Sequence, residues 1–448
     1  MAPRPQRLTI VLPSTGAFDS RTWRIARSLS GRGHAITVVA RGGDGLPERE
    51  DVDGIRFIRV PVAAIDGLPG PIRALVRLVR RPRTASAGAG ATATARLGTA
   101  DTSEAPATGG LLGRGIGAVI RLARIGLTIR AQRLATMREA PQGDLVHAMA
   151  YMGIPIGLAL GRRDGAPVVY DARDIYVEAR NIARLPGPAR RLFATIERRW
   201  AQGASRVMTV NRAYAEEMAR RFETALPAIV LNCSPRPAAA EDGGEPRPAR
   251  RFHAALGLAE SETVVLYHGG LSPERGIEQL IAALPLLPDT AHLVLMGYGP
   301  LADRLIERTT DPALGGRLHV LPAVPPAELL SWVGAADVAA MPIQPTTLNH
   351  RLTTPNKLFE AMTAGVPVVA PDLPGMASIV TETGCGVVCD PTDPAAVAAA
   401  IRTILDAPDA ERAGWRSRAL AAARTTYHWE AQVEILLDEY GRLTGEPW

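Results

Sequence analysis

The chain has 448 residues and a formal net charge of +6, and this length predicts two or three domains rather than one hydrophobic core. Its apolar runs stay below the roughly 18 residues that a membrane-spanning helix needs, and its first residues lack the apolar core of a secretory signal, so we expect a soluble, cytoplasmic protein. The three cysteines, Cys233, Cys385 and Cys389, form no CxxC pair, which argues against a disulfide framework or a zinc site.

The first half of the chain alternates short apolar runs with amphipathic stretches. Strands are predicted at residues 8–12, 36–40, 55–60, 145–148, 168–171 and 207–210, and helices at 20–29, 188–202 and 214–222. This alternation is typical of βαβ units and therefore of a parallel sheet. Residues 84–112 are almost entirely Ala, Thr, Gly and Ser, a composition that buries too little apolar surface to offset the entropy of ordering. We therefore expect a disordered insertion there.

Residues 71–138 hold twelve arginines and only two acidic residues. One basic segment without interleaved aromatic residues indicates a local surface rather than a nucleic-acid-binding protein. Peripheral contact with an anionic membrane, at its inner face, would suit this charge. On a helix, however, Arg121 and Arg124 fall on a different face from Arg130 and Arg133. Solvated surface is therefore the favoured interpretation.

Residues 51–54, Asp-Val-Asp-Gly, match an acidic triplet that can hold a divalent metal ion. However, Asp53-Gly54 followed by the apolar run at 55–60 is a strong turn-then-strand signal. A turn is predicted here, and no metal site.

A stretch rich in Pro, Ala and Gly at 233–250 predicts an interdomain linker, after which the alternation restarts. Strands are predicted at 264–268, 293–296, 318–321, 338–341, 368–370 and 387–389, with a helix at 277–286. This pattern predicts a second doubly wound domain. Residues 427–443 place large apolar side chains at helical spacing and predict an amphipathic closing helix.

Residues 352–370 are the most informative segment of the chain. Thr354 is a favourable N-cap and Pro355 suits a first helical position, so the helix that follows presents free backbone amides where an anion is favoured. Lys357 adds a positive charge, and Glu360, one turn further, can accept hydroxyl hydrogen bonds from a ribose. An ordinary capped surface helix with a Lys357–Glu360 ion pair explains the helix signals equally well.

The chain resembles the family-4 retaining glycosyltransferases of the GT-B fold from residue 8 to about 440, apart from the insertion. The resemblance is carried by segments 19–26, 33–39, 266–276, 296–300, 335–338 and 355–369. Segment 266–276, LYHGGLSPERG, is similar to the family's diphosphate-binding loop, and 296–300, MGYGP, to its second glycine turn. The resemblance implies metal-independent transfer of a hexosyl group, with retention, from a nucleoside-diphosphate sugar in polysaccharide or glycoconjugate biosynthesis.

The resemblance implies binding roles only where residues match. Arg275 stands where the family usually has a lysine that reaches the donor phosphates, and arginine keeps that charge. Glu360 matches the second glutamate of the family's paired motif, which is expected to hold the ribose. The donor-binding candidates are Gly16, Gly269, Gly270, Arg275, Gly297, Val324, Thr354, Asn356, Lys357, Leu358 and Glu360. The catalytic candidates are Arg275, Lys357 and Arg173, and the first two would stabilise charge on the leaving diphosphate.

Three positions depart from the family pattern. Gly270 stands where many members place an arginine, and Leu352 stands in place of the first glutamate, which is assigned near the transferred sugar. Arg173 replaces an active-site histidine and cannot act as a base because it does not deprotonate. Asn349 and the two residues after it would be substitutes for the lost glutamate, although such a polar loop is more often merely solvated. The candidates on the acceptor or sugar side are Asp19, Arg21, His147 and Asn349.

These observations predict an α/β protein of GT-B type, with two doubly wound Rossmann-like domains facing a central cleft. Residues 1–232 would form the acceptor-side domain and 233–425 the nucleotide-sugar-binding domain, and 426–448 would pack back on the first. We expect a UDP- or GDP-sugar donor and no cofactor. Two alternatives remain open. One is a sugar-nucleotide epimerase, which needs acid and base residues around the sugar. The other is a catalytically silent nucleotide-sugar-binding subunit, which the departures at Gly270 and Leu352 allow.

Overall fold

The computed structural model describes residues 4–17, 19–43, 45–68, 111–237 and 250–448. The predicted insertion at 84–112 lies outside the described residues except for its last two positions, which belong to a helix that begins at Leu111. Of the predicted linker, residues 238–249 also lie outside them.

The first sheet has eight strands in the order β3-β4-β2-β1-β5-β6-β7-β8. All neighbours pair in parallel except β3 and β4. The turn between those two strands is Asp53-Gly54, and both residues have positive φ, as a two-residue hairpin turn requires. The predicted turn is thereby confirmed. The strands are β1 (Arg7–Val11), β2 (Ala35–Arg41), β3 (Arg49–Val52), β4 (Ile55–Val60), β5 (Leu145–Met149), β6 (Val168–Asp171), β7 (Arg206–Thr209) and β8 (Ala228–Ile229).

The second sheet has six strands in the order β11-β10-β9-β12-β13-β14, and all of its pairs are parallel. The strands are β9 (Thr263–Gly270), β10 (Ala291–Tyr298), β11 (Leu318–Pro322), β12 (Val338–Ala340), β13 (Val368–Pro371) and β14 (Gly386–Cys389). The two parallel sheets predicted from the strand and helix alternation are therefore confirmed.

Each helix is named here by its first residue. The helices are Ser20–Ser30, Leu111–Glu139, Ala150–Asp164, Arg180–Ala183, Gly187–Gly203, Arg212–Phe222, Arg251–Leu256, Ile277–Ala283, Ala302–Arg308, Leu329–Val333, Leu348–Leu352, Asn356–Thr363, Pro374–Thr383, Pro394–Leu405, Asp409–Thr425 and Trp429–Thr444. In the part of the chain that the structure describes, no helix is both long and apolar enough to cross a membrane.

Successive strand residues point to opposite faces of each sheet, so each sheet has two cores. In β1, Leu8 and Ile10 pack with the Ser20 and Trp429 helices, whereas Val11 packs with the core on the other face. In the second sheet, Leu266 packs on the side of the Asn356 helix and Tyr267 on the side of the Ile277 helix. Helices on both faces of a parallel sheet leave its carboxyl-terminal edge free for a ligand.

The Trp429 helix follows the second sheet in the chain but packs against the first. Its inward side chains Val433, Leu436 and Tyr440 lie in one core with Ile10 and the rest of that face. The hydroxyl of Tyr440 is also 2.6 Å from Nδ1 of His147 on β5. The last helix therefore completes the core of the first half.

Candidate functional site

The glycine loops, residues 269–271 at the end of β9 and 297–299 at the end of β10, lie so close together that no side chain fits at Gly297 or Gly299. A Cβ on Gly297 would lie 1.9 Å from the carbonyl oxygen of Gly269, and a Cβ on Gly299 would lie 2.2 Å from that of Leu271. Gly269 itself has φ +110°, a conformation that a residue with a side chain rarely adopts. Backbone atoms therefore form this edge of the sheet, where a ligand can approach closely.

The Asn356 helix begins one residue later than the sequence predicts. Its N-cap is Pro355, without a side-chain capping hydrogen bond. The Thr354 hydroxyl donates instead to the carbonyl oxygen of Gly375 at 2.5 Å and accepts from Nδ2 of Asn211 at 2.9 Å. The predicted Thr354 cap is thus wrong, because buried partners on two other elements take its hydroxyl. Because no side chain caps this helix, its first-turn amides remain available to another acceptor.

Lys357 and Arg275 are two cations from different elements that lie within electrostatic reach of each other. Nζ of Lys357 lies 3.6 Å from the ring centroid of Tyr267 and 3.5 Å from the position that a Cβ on Gly269 would take. Burial lowers the pKa of Lys357 to about 7; the charge of Arg275 acts in the same direction, and that of Glu360 opposes both. Within the described residues, neither Lys357 nor Arg275 forms a side-chain hydrogen bond or an ion pair.

Glu360 has a partner that the sequence analysis missed. Its Oε2 lies 2.9 Å from Nε2 of His268, which is buried at the end of β9. The Lys357–Glu360 ion pair of an ordinary surface helix is therefore not formed. Glu360 is half-buried, and its Oε1 accepts no hydrogen bond from the described residues, so this oxygen remains available to a ligand.

In the first half, Asp19 and Arg173 form an ion pair. Nη1 of Arg173 lies 2.8 Å and 3.0 Å from the two carboxylate oxygens of Asp19, and Asp19 also caps the Ser20 helix through the amide of Thr22. Burial opposes the charged form of Arg173, but Asp19 raises its pKa above the ordinary value. The next residue, Asp174, is within electrostatic reach of both Arg173 and Arg275, so it lies where the two halves meet. The sequence analysis missed it.

The structure places Arg21 and His147 in the core rather than in the cleft. Nε of Arg21 lies 2.6 Å and Nε2 of His147 3.1 Å from the same oxygen of Asp171, and all three side chains are almost fully buried. Burial alone would raise the pKa of Asp171, but Arg21 and His147 lower it far below its usual range. The acceptor-side interpretation of Arg21 and His147 is corrected because both belong to an internal charge network.

Asn349 is also engaged, in a contact between the halves. Its Oδ1 accepts from the amide of Ile175 at 2.8 Å, and its Nδ2 donates to the carbonyl of Ile175 at 3.1 Å. Leu352 packs against the core of the first half, and its carbonyl accepts from Asn211 at 2.7 Å. Asn349 therefore has no free amide group to replace the glutamate absent at 352.

The remaining candidates are held by backbone contacts, by core packing or by a side-chain hydrogen bond. Gly16 is buried with φ +80°, and its carbonyl accepts from the indole of Trp23 at 2.9 Å. Leu358 and Val324 pack in the core under the Asn356 helix. Gly270 is exposed, and its carbonyl accepts from the hydroxyl of Tyr267 at 2.9 Å. The side-chain amide oxygen of Asn356 accepts from Asn232 at 2.9 Å.

Two protein-family models match the chain. The model described as Glycosyl transferase 4-like domain matches residues 16–233, and the model described as Glycosyl transferases group 1 matches residues 262–407. Together they take in every strand of the two sheets except β1, and the loops that carry the site.

Individual relatives agree with the family models. A D-inositol 3-phosphate glycosyltransferase of Xylanimonas cellulosilytica is 27% identical over 316 residues, which cover 67% of this chain and 72% of that protein. The fold matches sucrose-phosphate synthase of Thermosynechococcus elongatus with a TM-score of 0.66 at 20% identity, covering 98% and 99% of the two chains. It matches Anabaena HepE in complex with UDP with a TM-score of 0.64 at 17% identity, covering 98% and 100%.

Proposed function

This chain belongs to the group 1 glycosyltransferases and has the two-domain GT-B fold, and from this premise we propose which reaction it catalyses. It transfers a hexosyl group from a nucleoside-diphosphate sugar to an acceptor hydroxyl, with retention of configuration, in the synthesis of a glycan or glycoconjugate. Residues 233–425 bind the donor, and residues 1–232 form the acceptor side.

One observation carries the proposal: Lys357 lies beside Gly269 near an uncapped helix N-terminus, with Arg275 within electrostatic reach, and neither cation forms an ion pair within the described residues. Guanidinium and ammonium groups and free backbone amides are the donors that bind phosphate oxygens in proteins. Two cations match the two phosphoryl groups of a nucleoside diphosphate. That HepE, a protein of the same fold, was solved with UDP is consistent with such a ligand.

Glu360 holds the ribose in this proposal. Its Oε2 is fixed by His268, which orients the carboxylate, and its Oε1 is left to accept from a ribose hydroxyl. A carboxylate that accepts a ligand hydroxyl forms a charge-assisted hydrogen bond, which is stronger than a neutral one.

The chemical step is departure of the nucleoside diphosphate from the anomeric carbon, with attack of the acceptor hydroxyl on the same face. Negative charge then grows on the leaving phosphate. Arg275, Lys357 and the amides of the Asn356 helix stabilise this charge, the contribution that usually dominates such catalysis. Arg173 lies on the acceptor side, where its ion pair with Asp19 offsets most of its charge.

The proposal is tested by calorimetric titration with UDP and with GDP. We expect one of them to bind, and Glu360→Ala to weaken its binding by about 10- to 100-fold, the effect of losing a hydrogen bond to a charged group. The matched control is Glu307→Ala, which removes an exposed glutamate of the same half and should leave the affinity unchanged.

Turnover distinguishes the alternatives. We expect release of the nucleoside diphosphate from one member of a panel of UDP- and GDP-sugars, with the sugar transferred to an acceptor or to water. Release of an epimerised sugar nucleotide would instead identify an epimerase. Binding without turnover of any donor would identify a silent binding subunit, and binding of neither nucleotide would overturn the donor site itself.

Peripheral contact with an anionic membrane stays a prediction. Ile120 in the Leu111 helix is 61% exposed, and Arg121 and Arg124 beside it are exposed as well. Co-sedimentation with phosphatidylserine vesicles at low and high salt tests this contact, because charge-driven binding weakens with salt. Absence of binding at low salt would contradict it.

A further inference from the structure

Tyr267 lies directly under the only lysine of the chain. Lys357 is the single lysine among 448 residues, and its Nζ lies 3.6 Å from the centroid of the Tyr267 ring, well inside the roughly 6 Å over which a cation and an aromatic face attract. The ring is fully buried in the core on the Ile277 side of the sheet. Its position is therefore fixed by packing, and it offers Lys357 a rigid surface.

Glu360 favours the ammonium form of Lys357 and Arg275 disfavours it, and the Tyr267 ring is a second favourable neighbour. Glu360, one turn along the same helix, is bonded to His268 of β9. Arg275, in the loop after β9, disfavours the ammonium form of Lys357. The negative face of the Tyr267 ring attracts a cation, so it keeps the ammonium beside the glycine loop despite Arg275.

The hydroxyl of Tyr267 contacts the other part of the same site. It donates to the carbonyl oxygen of Gly270 at 2.9 Å, and Gly270 has no side chain with which to bind a phosphate. The buried Tyr267 side chain thus contacts both Lys357, the cation of the Asn356 helix, and Gly270, which has no charged side chain.

We propose that Tyr267 is a positioning residue for the donor diphosphate: its ring face holds the Lys357 ammonium beside the Gly269-Gly270 loop, and its hydroxyl fixes that loop. The inference rests on the proposed function, because it assigns a further residue to the same site. Lys357 thereby supplies, from the helix side, the charge that the loop itself does not provide.

Two variants separate the ring from the hydroxyl. Tyr267→Leu removes both, and we expect the dissociation constant of UDP or GDP, whichever binds, to rise about tenfold or more. Tyr267→Phe keeps the ring and loses one neutral hydrogen bond, and we expect a rise of about threefold to fivefold. Inorganic pyrophosphate serves as a second probe that needs no nucleobase contact.

The matched control is Tyr427→Leu. Tyr427 is a buried tyrosine in another core of the same half, stacked on Phe359, and no cation of the described residues lies over its ring. This variant should lose thermal stability comparably to Tyr267→Leu and keep the wild-type affinity for the nucleotide. If both leucine variants lost affinity equally, the effect would be general destabilisation and the proposal would be overturned.

The single lysine allows a direct test without any ligand. Lysine labelled with ¹³C at Cε gives one labelled side chain in this protein, and its ε-protons should be shifted upfield by the ring current of Tyr267. We expect the shift in the wild type and in Tyr267→Phe and its loss in folded Tyr267→Leu. An unshifted signal in the wild type would overturn the proposal. Failure of the wild type to bind UDP, GDP or pyrophosphate would instead contradict the proposed function.

Discussion

At the scale of single residues, Lys357 is a cation in an environment that disfavours its charge. Burial and the neighbouring Arg275 hold its pKa at about 7, whereas the ordinary value is about 10.4. A bound diphosphate would reverse this balance, since two phosphoryl groups stabilise the ammonium form. Nucleotide binding is therefore coupled to the protonation of this one side chain.

We predict that nucleotide binding weakens as the pH rises from 7 to 9. The free protein loses the Lys357 proton in this range and must take it up again to bind, so the dissociation constant should rise by up to about tenfold per pH unit. Calorimetry in two buffers with different ionisation enthalpies measures the uptake, which should approach one proton near pH 8. Lys357→Met should bind more weakly and without this uptake. Equal heats in the two buffers for the wild type would contradict the prediction.

A second prediction concerns the buried charge network. Asp171→Asn leaves Arg21 as a buried cation without its counter-ion, and we expect the free energy of unfolding to fall by about 3–5 kcal/mol. Urea unfolding measures the change in the free energy of unfolding. The control is Asp406→Asn, which breaks an exposed ion pair with Arg402 and should cost at most about 1 kcal/mol. Similar losses in both variants would show that Arg21 finds other compensation.

The sequence could predict candidate residues whose placement depends on a local pattern, such as the start of a helix. Lys357 and Glu360 are one turn apart in the first turns of a helix; Lys357 lies beside Gly269 and Glu360 beside His268, and their binding roles stay a prediction. Thr354 and Asn349 were misassigned because each has polar groups that suit several partners, and the sequence does not tell which partner is near. Ile175, for example, is 174 residues from Asn349 along the chain.

At the scale of elements, the short Leu348 helix joins the two halves. It belongs to the second half, yet Leu348 and Leu352 pack on the core of the first, and Tyr214 donates to the carbonyl of Asn349 at 3.0 Å. The helix therefore places the loop at Ile175 against the donor half. Asp174, which precedes Ile175 in that loop, is thereby held near Arg275.

We predict that Asn349→Ala frees the backbone of Ile175. Losing both hydrogen bonds should lower the free energy of unfolding by about 1–3 kcal/mol and speed hydrogen exchange at the Ile175 amide. Tyr214→Phe is the comparison, because it removes a hydrogen bond from the same contact and leaves Ile175 paired. Hydrogen exchange measured by mass spectrometry gives the protection of the Ile175 amide in both variants. Unchanged protection of Ile175 in Asn349→Ala would contradict the assignment.

Most strands were predictable because buried parallel strands are short apolar runs bounded by turn residues. β3 was not, since Arg49–Val52 is polar and its pairing to β4 depends on the Asp53-Gly54 turn rather than on burial. The Leu348 helix was also missed, because five residues are too few to show a helical period. β3 and the Leu348 helix are therefore stabilised by contacts rather than by a pattern of their own.

At the scale of the whole molecule, the halves differ in how their cores are completed. The second half builds its cores from residues between Cys233 and Tyr427, whereas the first half, whose last strand is β8, also needs the Trp429 helix. Damage to that helix should therefore destabilise the first half while leaving the donor residues in place.

We predict that Leu436→Ala lowers the free energy of unfolding by about 2–5 kcal/mol, as expected for a fully buried leucine, with little change in nucleotide affinity. Ile435→Ala is the control. The Ile435 side chain, next to Leu436 in the chain, is 40% exposed, so its truncation should lower the free energy of unfolding by less than about 0.5 kcal/mol. Denaturant unfolding and calorimetry measure the two effects. A large loss of nucleotide affinity in folded Leu436→Ala would show that the helix also shapes the donor site.

The position of the Trp429 helix also governs the order of events during translation. About 200 residues separate β8 from this helix, and at roughly 5–20 residues per second a ribosome needs on the order of 10–40 seconds to synthesise them. Throughout that interval the nascent first sheet lacks the side chains that cover Ile10 and Val38. The domain that is made first is therefore finished last, and its uncovered face is the surface that a ribosome-associated chaperone would have to protect.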